Sequence, residues 1–186
     1  MHCGATIHTE RGLALASDLP MKGRDEMPQD AESRPKLLEA GEGEIVRFLG
    51  EPRVFKVTPS ETGGRYLQFE TATAPGAGAP PHWHREEDEA FYVLAGQYDV
   101  LVGERRFTAI PGAFVFVPHG VVHGFTNTGQ EHARMLITVS PGTQHEDLFR
   151  ELEALNRQSG AKPDLAFVAQ LAAKYGWVMG EPPAKM

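Results

Sequence analysis

Two histidines and a nearby glutamate are the residues of this sequence whose types and spacing most clearly suggest chemistry. His82 and His84 are two residues apart, and on a β-strand this spacing points both imidazoles to the same face. Glu89 follows His84 at an odd offset, so in a continuous strand its carboxylate would face the opposite way. We therefore predict a turn or bulge over the hydrophilic run Arg85–Asp88, which would let Glu89 join the two imidazoles.

A third histidine lies in a segment with the pattern of a hairpin. The apolar run Phe114–Val117 predicts a strand, Pro118–Gly120 predicts a turn, and His123 begins the predicted return strand. Such a hairpin can bring His123 close to His82 and His84. Three neutral imidazoles and one carboxylate form a donor set that suits a divalent transition metal.

Residues beside these candidate ligands predict a substrate pocket. Phe91 and Val93 share strand parity with Glu89, and Phe125 shares it with His123. We expect these three side chains to face the interior beside the metal, where they would bind an apolar or aromatic ligand. The same parity also fits ordinary core packing.

The other histidines and acids near these segments receive no functional role from the sequence. Only Glu89 of the acidic run Glu86–Glu89 is assigned one, and the rest of that run is expected to form a solvated turn. The remaining histidines are expected at the surface or in the N-terminal segment, and they are His2, His8, His119, His132 and His145.

Short strands separated by turns must position these residues. Between Ile45 and Ser140, β-rich runs alternate with turns, and no helical periodicity separates them. This pattern predicts an all-β fold, an antiparallel sandwich or small barrel. The segment Ala74–Pro81, rich in Gly and Pro, is predicted to be a loop. The predicted strands are Ile45–Leu49, Val54–Thr58, Arg65–Thr73, Ala90–Ala95, Tyr98–Val102, Arg105–Ile110, Phe114–Val117, His123–Thr126 and Ala133–Ser140.

One helical turn is predicted near Lys36–Ala40, and sustained helical spacing begins after Pro141. Apolar residues recur every three or four positions over 148–155 and again over 165–172, with Gly176 as a stop signal. We predict two helices that cover a face or edge of the sheets, or that act as a pocket lid or dimer arm. The chain thus divides into a loosely ordered N-terminal arm (1–43), a barrel (44–143) and a C-terminal helical tail (144–186).

Composition and charge narrow the classes of function. The chain has 186 residues, a formal net charge of −7 and one cysteine. A negative balance argues against nucleic acid or an anionic membrane as partner, since both need a basic face. The apolar run Leu13–Ala16 is too short for a signal peptide, and one cysteine gives no sign of an oxidising compartment. We therefore expect a cytoplasmic protein.

The two histidine-bearing segments resemble the two motifs of the cupin superfamily. The first motif is a Gly, His-x-His, Glu and Gly in fixed spacing, and the second is a Gly, Pro-x-Gly, His and Asn. The matching residues of the first motif are Gly76, His82, His84, Glu89 and Gly96. Those of the second are Gly112, Pro118, Gly120, His123 and Asn127. The sequence around the two motifs is most similar to that of quercetin-dioxygenase-like single-domain cupins.

This resemblance implies a fold, a cofactor and a reaction. The fold would be a small double-stranded β-helix, or jelly-roll, with one divalent metal per chain (Fe, Mn, Ni, Co, Cu or Zn). The metal would be held by His82, His84, Glu89 and His123. The leading interpretation is a dioxygenase that uses O2 on a small aromatic, flavonol-like substrate, with Glu89 as ligand, catalytic base or both.

Other functions also fit these residues. A non-oxidative isomerase, cyclase or lyase would use the metal only as a Lewis acid, and a binding protein would hold a small molecule without turnover. The resemblance further implies a homodimer, with which a long N-terminal arm is consistent.

Overall fold

The computed structural model describes residues 34–49, 51–159 and 164–180. The predicted N-terminal arm lies outside the described residues up to position 33. Residues 34–43 contain neither helix nor strand, and the first strand begins at Glu44. The proposed division of the chain into three segments stays a prediction.

Two antiparallel sheets make up most of the described chain, with elements numbered in chain order. One sheet has, in spatial order, β1 (Glu44–Phe48), β2 (Glu51–Val57), β3 (Leu67–Thr73), β10 (Ala133–Ser140), β5 (Asp88–Ala95) and β8 (Phe114–Val117). The other has β11 (Trp177–Met179), β4 (Gly78–His84), β9 (His123–Asn127), β6 (Tyr98–Val102) and β7 (Arg105–Ala109). The predicted all-β jelly-roll fold is confirmed.

Alternation along the central strands explains where the core lies. In β3 and β10 every second residue is buried, so each strand gives one face to the interior. Leu67 and Phe69 supply that face in β3, and Met135 and Ile137 supply it in β10. The strands are paired directly, with Phe69 opposite Ile137. Period-two patterning thus fixes both the register and the inward face.

The fourth strand was predicted as a loop over most of its length, and that prediction is wrong. Residues 78–81 belong to β4, which lies between β9 and β11. Prolines are tolerated here because the β4–β9 register shifts between Ala79 and His82, so Pro80 and Pro81 fall at an irregularity of the ladder. Gly78 is also needed, because an added Cβ would lie 1.9 Å from the carbonyl oxygen of Phe125.

Both predicted C-terminal helices are present. They are α2 (Thr143–Ser159) and α3 (Leu165–Lys174), and a short helix, α1 (Pro59–Thr62), was not predicted. In α2 the apolar stripe Leu148, Phe149 and Leu152 is buried. No helix of the described chain is long and apolar enough to span a membrane.

After α3 the chain returns to the sheet, which the sequence did not predict. Strand β11 pairs antiparallel with β4, placing Trp177 opposite His84 and Met179 opposite His82. The tail therefore does more than cover the sheets with helices. It adds a strand directly beside the His82–His84 pair.

Candidate metal centre

The sheets bring His82, His84, Glu89 and His123 into one buried cluster, which we call the metal cluster. His82 and His84 lie on β4, and His123 lies opposite His82 on the neighbouring strand β9. The hairpin predicted to bring His123 here is wrong, because β8 and β9 lie in different sheets and His123 reaches the cluster by the pairing of β9 with β4. Glu89 approaches from β5 in the other sheet, because the chain bends at Arg85 and Glu86 as predicted. All four residues are at most 5% exposed. Their role as metal ligands remains a proposal.

Distances within the metal cluster suit ligands of a single ion. Each residue offers one donor atom, and these atoms all lie within 4.8 Å of one another. Glu89 Oε2 is 3.2 Å from His84 Nε2 and 2.8 Å from His123 Nε2. Donors that share one metal at about 2.0–2.2 Å lie about 2.8–3.6 Å apart, depending on the angle between them. Both measured separations fall within that range.

Backbone carbonyls orient two of the three imidazoles. Nδ1 of His82 lies 2.7 Å from the carbonyl oxygen of Pro80, and Nδ1 of His123 lies 2.9 Å from that of Val121. A carbonyl only accepts, so each Nδ1 donates its proton and each neutral ring keeps a lone pair at Nε2. This outer-shell arrangement is typical of metal-binding histidines.

Burial and hydrogen bonding favour the protonation states that metal ligands need. Burial, with smaller contributions from neighbouring imidazoles, holds the pKa of His82 well below its usual value. Burial likewise lowers the pKa of His84. For Glu89 burial raises the pKa, but hydrogen bonds with His123 and His84 outweigh it, and the net pKa is well below the usual value. Neutral imidazoles and an ionised carboxylate result.

The donor set also leaves His123 between two oxygen acceptors. They lie one at each ring nitrogen, Val121 O and Glu89 Oε2. A neutral imidazole has one N–H and can donate to only one of them, so the arrangement calls for positive charge there, either a second ring proton or a bound cation. A divalent ion among the four donors would take the Nε2 lone pair and the carboxylate charge together. The four residues therefore fit a transition metal by chemistry as well as by distance.

A second buried histidine–glutamate contact lies beside the metal cluster, and we call it the Glu87–His145 pair. Nδ1 of His145, in the first turn of α2, is 2.5 Å from Oε2 of Glu87. Glu87 is 2% exposed and His145 is 3% exposed. The rings of His145 and His84 have centroids 4.6 Å apart. The two groups are therefore neighbours in one buried polar region.

Two sequence predictions fail at this pair. His145 was expected at the surface and Glu87 in a solvated turn, but both are buried. A signal for His145 was present, because Leu148, Phe149 and Leu152 follow it at three, four and seven positions. That spacing puts His145 on the buried face of α2. A buried imidazole needs a hydrogen-bond partner, and Glu87 is buried because it provides one for His145. His119 and His132 are exposed, as predicted.

The pKa of His145 shifts in the opposite direction from the pKa values of the buried His82 and His84. Burial lowers the pKa of His145, but the hydrogen bond and charge of Glu87 outweigh burial and the net pKa is raised. Burial raises the pKa of Glu87, but the interactions with His145 outweigh it and the net pKa is lowered. Both shifts favour an imidazolium–carboxylate ion pair.

A cavity of about 360 Å³ adjoins both groups. Its polar side chains include His82 and Glu89 of the metal cluster, His145, and Arg53 of β2. Its apolar lining comes from both sheets, both C-terminal helices and β11, and it includes Phe48, Phe69, Phe125, Ile137, Phe149, Val168 and Trp177. This size and lining are those of a small-molecule site, for which about 300–1,000 Å³ is usual.

The three predicted pocket residues occupy different positions. Phe125 lines the cavity. Phe91 and Val93 are each 1% exposed and pack in the hydrophobic core, with the Phe91 ring centroid 5.6 Å from that of Phe125. Phe91 and Val93 therefore show ordinary core packing, the alternative that their strand parity left open. The sequence did not identify Arg53 or Trp177 as cavity residues, since both reach the cavity through non-local packing.

Comparison with known proteins identifies the domain. The sequence profile of the cupin domain matches residues 69–139. A curated relative, quercetin 2,3-dioxygenase of Bacillus subtilis (strain 168), is 28% identical over 120 residues. That match covers 63% of this chain and 34% of the relative, so the chain spans about a third of that enzyme's length.

Solved structures share the fold at lower identity. KdgF from a Halomonas species has a TM-score of 0.53 and 20% identity, covering 61% of this chain and 99% of that chain. The polyketide cyclase RemF from Streptomyces resistomycificus has a TM-score of 0.50 and 23% identity, covering 58% of this chain and 80% of that chain. These likenesses show the fold alone.

Proposed function

This chain belongs to the cupin superfamily through the domain at residues 69–139, and from that premise we propose that it is a metal-dependent dioxygenase of small aromatic substrates. One observation carries the proposal. The buried metal cluster lies against a cavity whose lining is mainly apolar and aromatic. The 28% identity to a quercetin 2,3-dioxygenase supports the same reaction class.

His82, His84, Glu89 and His123 would hold the metal. When bound, a divalent transition metal would supply Lewis-acid chemistry and, if it is redox-active, electron transfer from the substrate to O2. The rest of the chain orients these ligand side chains. Backbone carbonyls hold His82 and His123 in the required tautomer, and the ionised Glu89 balances part of the metal's charge.

The cavity walls bind and orient the substrate ring. Phe125, Phe149 and Trp177 contribute aromatic surface to the cavity lining. Packing of these rings against a flat apolar ligand excludes water from the metal cluster. Glu89 also lines the cavity, and in this proposal its carboxylate accepts a hydroxyl proton from the substrate, with the O–H electron pair staying on the substrate oxygen.

Oxygen consumption tests this proposal. The metal-free protein would be reconstituted anaerobically with Fe, Mn, Co, Ni, Cu or Zn in turn, and O2 uptake followed with a flavonol and with catechols. We expect substrate-dependent uptake with at least one redox-active metal and none with zinc. The variant His123→Ala should abolish it, whereas His132→Ala, at an exposed histidine outside the cluster, should not. Absence of uptake with every metal would contradict the dioxygenase assignment.

A non-oxidative reaction is a second candidate, favoured by the Glu87–His145 pair. Isomerases, cyclases and lyases move protons, and a buried imidazole with a carboxylate partner beside the cavity suits proton transfer. Such an enzyme would turn over its substrate with zinc and without O2. Ligand binding without turnover under either condition would instead indicate a binding protein.

A further inference from the structure

The imidazole of His145 is fixed in place by several neighbours. Glu87 occupies Nδ1, and the backbone N–H of His145 lies 3.4 Å from the other carboxylate oxygen of Glu87. Trp177 stacks on the ring with centroids 5.3 Å apart and an interplanar angle of 16°. Phe149 meets it edge-on at 5.6 Å. These contacts fix the orientation of the imidazole ring.

Only one polar atom of that ring is available to a ligand. Nδ1 faces Glu87, so Nε2 is the nitrogen that remains. His145 lines the same cavity as His82 and Glu89. Its ring centroid is 4.6 Å from that of His84, so a ligand atom that reaches His145 also lies close to the metal cluster.

The Glu87–His145 pair is a hydrogen bond rather than half of a second metal site. His84, Glu87 and His145 also offer donor atoms within 4.8 Å of one another. However, both carboxylate oxygens of Glu87 face His145, one at Nδ1 of the ring and the other at the backbone N–H. This geometry assigns Glu87 to orienting the imidazole.

We propose that His145, oriented by Glu87, contacts the substrate and hydrogen-bonds through Nε2 to a second oxygen of a ring whose first oxygen lies at the metal. The proposal rests on the proposed function and deepens it. The favoured substrate class is an aromatic ring with two neighbouring hydroxyl groups. A hydroxyl both donates and accepts, so it can pair with this nitrogen whether or not the nitrogen carries a proton. Glu87 is then a positioning residue.

A pair of probe compounds isolates this contact. Catechol has two neighbouring hydroxyls, and phenol has one, so their affinity ratio reports the second hydroxyl. Calorimetry would measure both affinities with zinc-loaded protein, which avoids oxidation. We expect the wild-type protein to prefer catechol by about tenfold, the size of one hydrogen bond left unmade in a buried site.

The variants must remove the contact without leaving a buried charge. His145→Phe is combined with Glu87→Gln, so no unpaired carboxylate remains. We expect this double variant to bind catechol and phenol about equally, with its zinc content unchanged. Glu87→Gln alone should reduce the ratio only partly, because His145 is still present but less well oriented. His119→Phe, at an exposed histidine that also pairs with a carboxylate, is the matched control and should keep the full ratio.

The outcomes separate this inference from the proposed function. A tenfold ratio in the double variant would overturn the inference alone, because the second hydroxyl would then be recognised elsewhere, for example at the metal. A ratio near one in the wild-type protein would also overturn it. If neither compound bound the zinc-loaded wild-type protein, the aromatic-substrate proposal would fail, and the inference with it. If the double variant did not fold, the partial loss expected for Glu87→Gln would decide.

Discussion

The metal cluster and the Glu87–His145 pair are built from the same residue types at the same depth, yet their partners differ. In the metal cluster, carbonyl oxygens of Pro80 and Val121 hold Nδ1 of two imidazoles. In the pair, a carboxylate holds Nδ1 of His145. A carbonyl fixes a ring without adding charge, whereas a carboxylate stabilises the protonated ring.

This difference sets opposite charge states under equal burial. The pKa values of His82 and His84 are lowered mainly by burial, whereas Glu87 outweighs burial and raises the pKa of His145. Burial alone therefore does not decide the behaviour of a histidine here. His145 differs from His82 in having a carboxylate rather than a carbonyl oxygen at Nδ1.

The largest expected effect comes from Glu89. The substitution Glu89→Gln removes the carboxylate charge and the proton acceptor while keeping the side chain's size. If Glu89 is the base, activity of the metal-loaded protein should fall by about 10²–10⁴-fold. Steady-state kinetics with parallel metal analysis would measure this. Unaltered turnover would show that Glu89 is not the base.

Loss of a ligand imidazole should follow in size. His82→Ala leaves three donors in the metal cluster, so we expect metal affinity to drop by more than about 100-fold, beyond the effect usual for an outer-shell change. Equilibrium dialysis followed by elemental analysis would measure the affinity. His132→Ala serves as control and should retain full metal content. Equal affinity of the wild-type protein and His82→Ala would remove His82 from the ligand set.

Breaking the Glu87–His145 pair should act on stability. Glu87→Ala leaves the buried His145 without its partner, and we expect the free energy of unfolding to fall by about 3–5 kcal/mol. The control is Asp99→Ala, which breaks the exposed ion pair between Asp99 and Arg106 and should cost at most about 1 kcal/mol. Urea unfolding of the metal-free proteins gives both values. Equal losses would mean that burial adds nothing to the pair.

The smallest effect expected is a difference in pH dependence. The raised pKa of His145 stabilises the fold below the usual value of 6.5, and this stabilisation is lost as pH rises through the raised pKa. The lowered pKa of Glu87 stabilises the fold above pH 4.5, and this stabilisation is lost as the pH falls further. The pair should therefore stabilise the metal-free protein most between about pH 4.5 and 6.5.

The metal cluster should change the free energy of unfolding with pH in the opposite direction. Since the pKa of His82 is lowered in the fold, its stabilisation is complete above 6.5 and is lost as pH falls. From pH 7.5 to 5.5, a His82→Phe variant should lose less stability than the wild-type protein, and the double variant His145→Phe with Glu87→Gln should lose more. Urea unfolding across this pH series checks both. Parallel curves for all three proteins would contradict the opposite assignments.

The metal cluster could be predicted from sequence because its information is local. The spacing of His82 and His84 fixes their common face, and Pro118 and Gly120 mark the turn before the strand of His123. That turn joins the two sheets and does not form the predicted hairpin. The turn after His84 followed from the parity of Glu89. From these local features most strands of the barrel and the proximity of the four residues could be predicted.

The surroundings of the cluster could not be predicted in the same way. Strand β11 pairs with β4, with Trp177 opposite a residue 93 positions earlier in the chain, and three residues such as Trp177–Met179 carry no distinctive strand signal. The prolines of β4 hid a strand, because a register shift accommodates them. For Glu87, burial depends on a helix more than fifty residues later along the chain.

Anomalous diffraction at the metal's absorption edge tests the central claim most directly. Crystals of the metal-loaded protein would show where the ion lies relative to the two neighbouring groups. The account predicts one ion per chain, bound by His82, His84, Glu89 and His123, with His145 still paired to Glu87. An ion between His84, Glu87 and His145, or no ordered ion at either place, would contradict it.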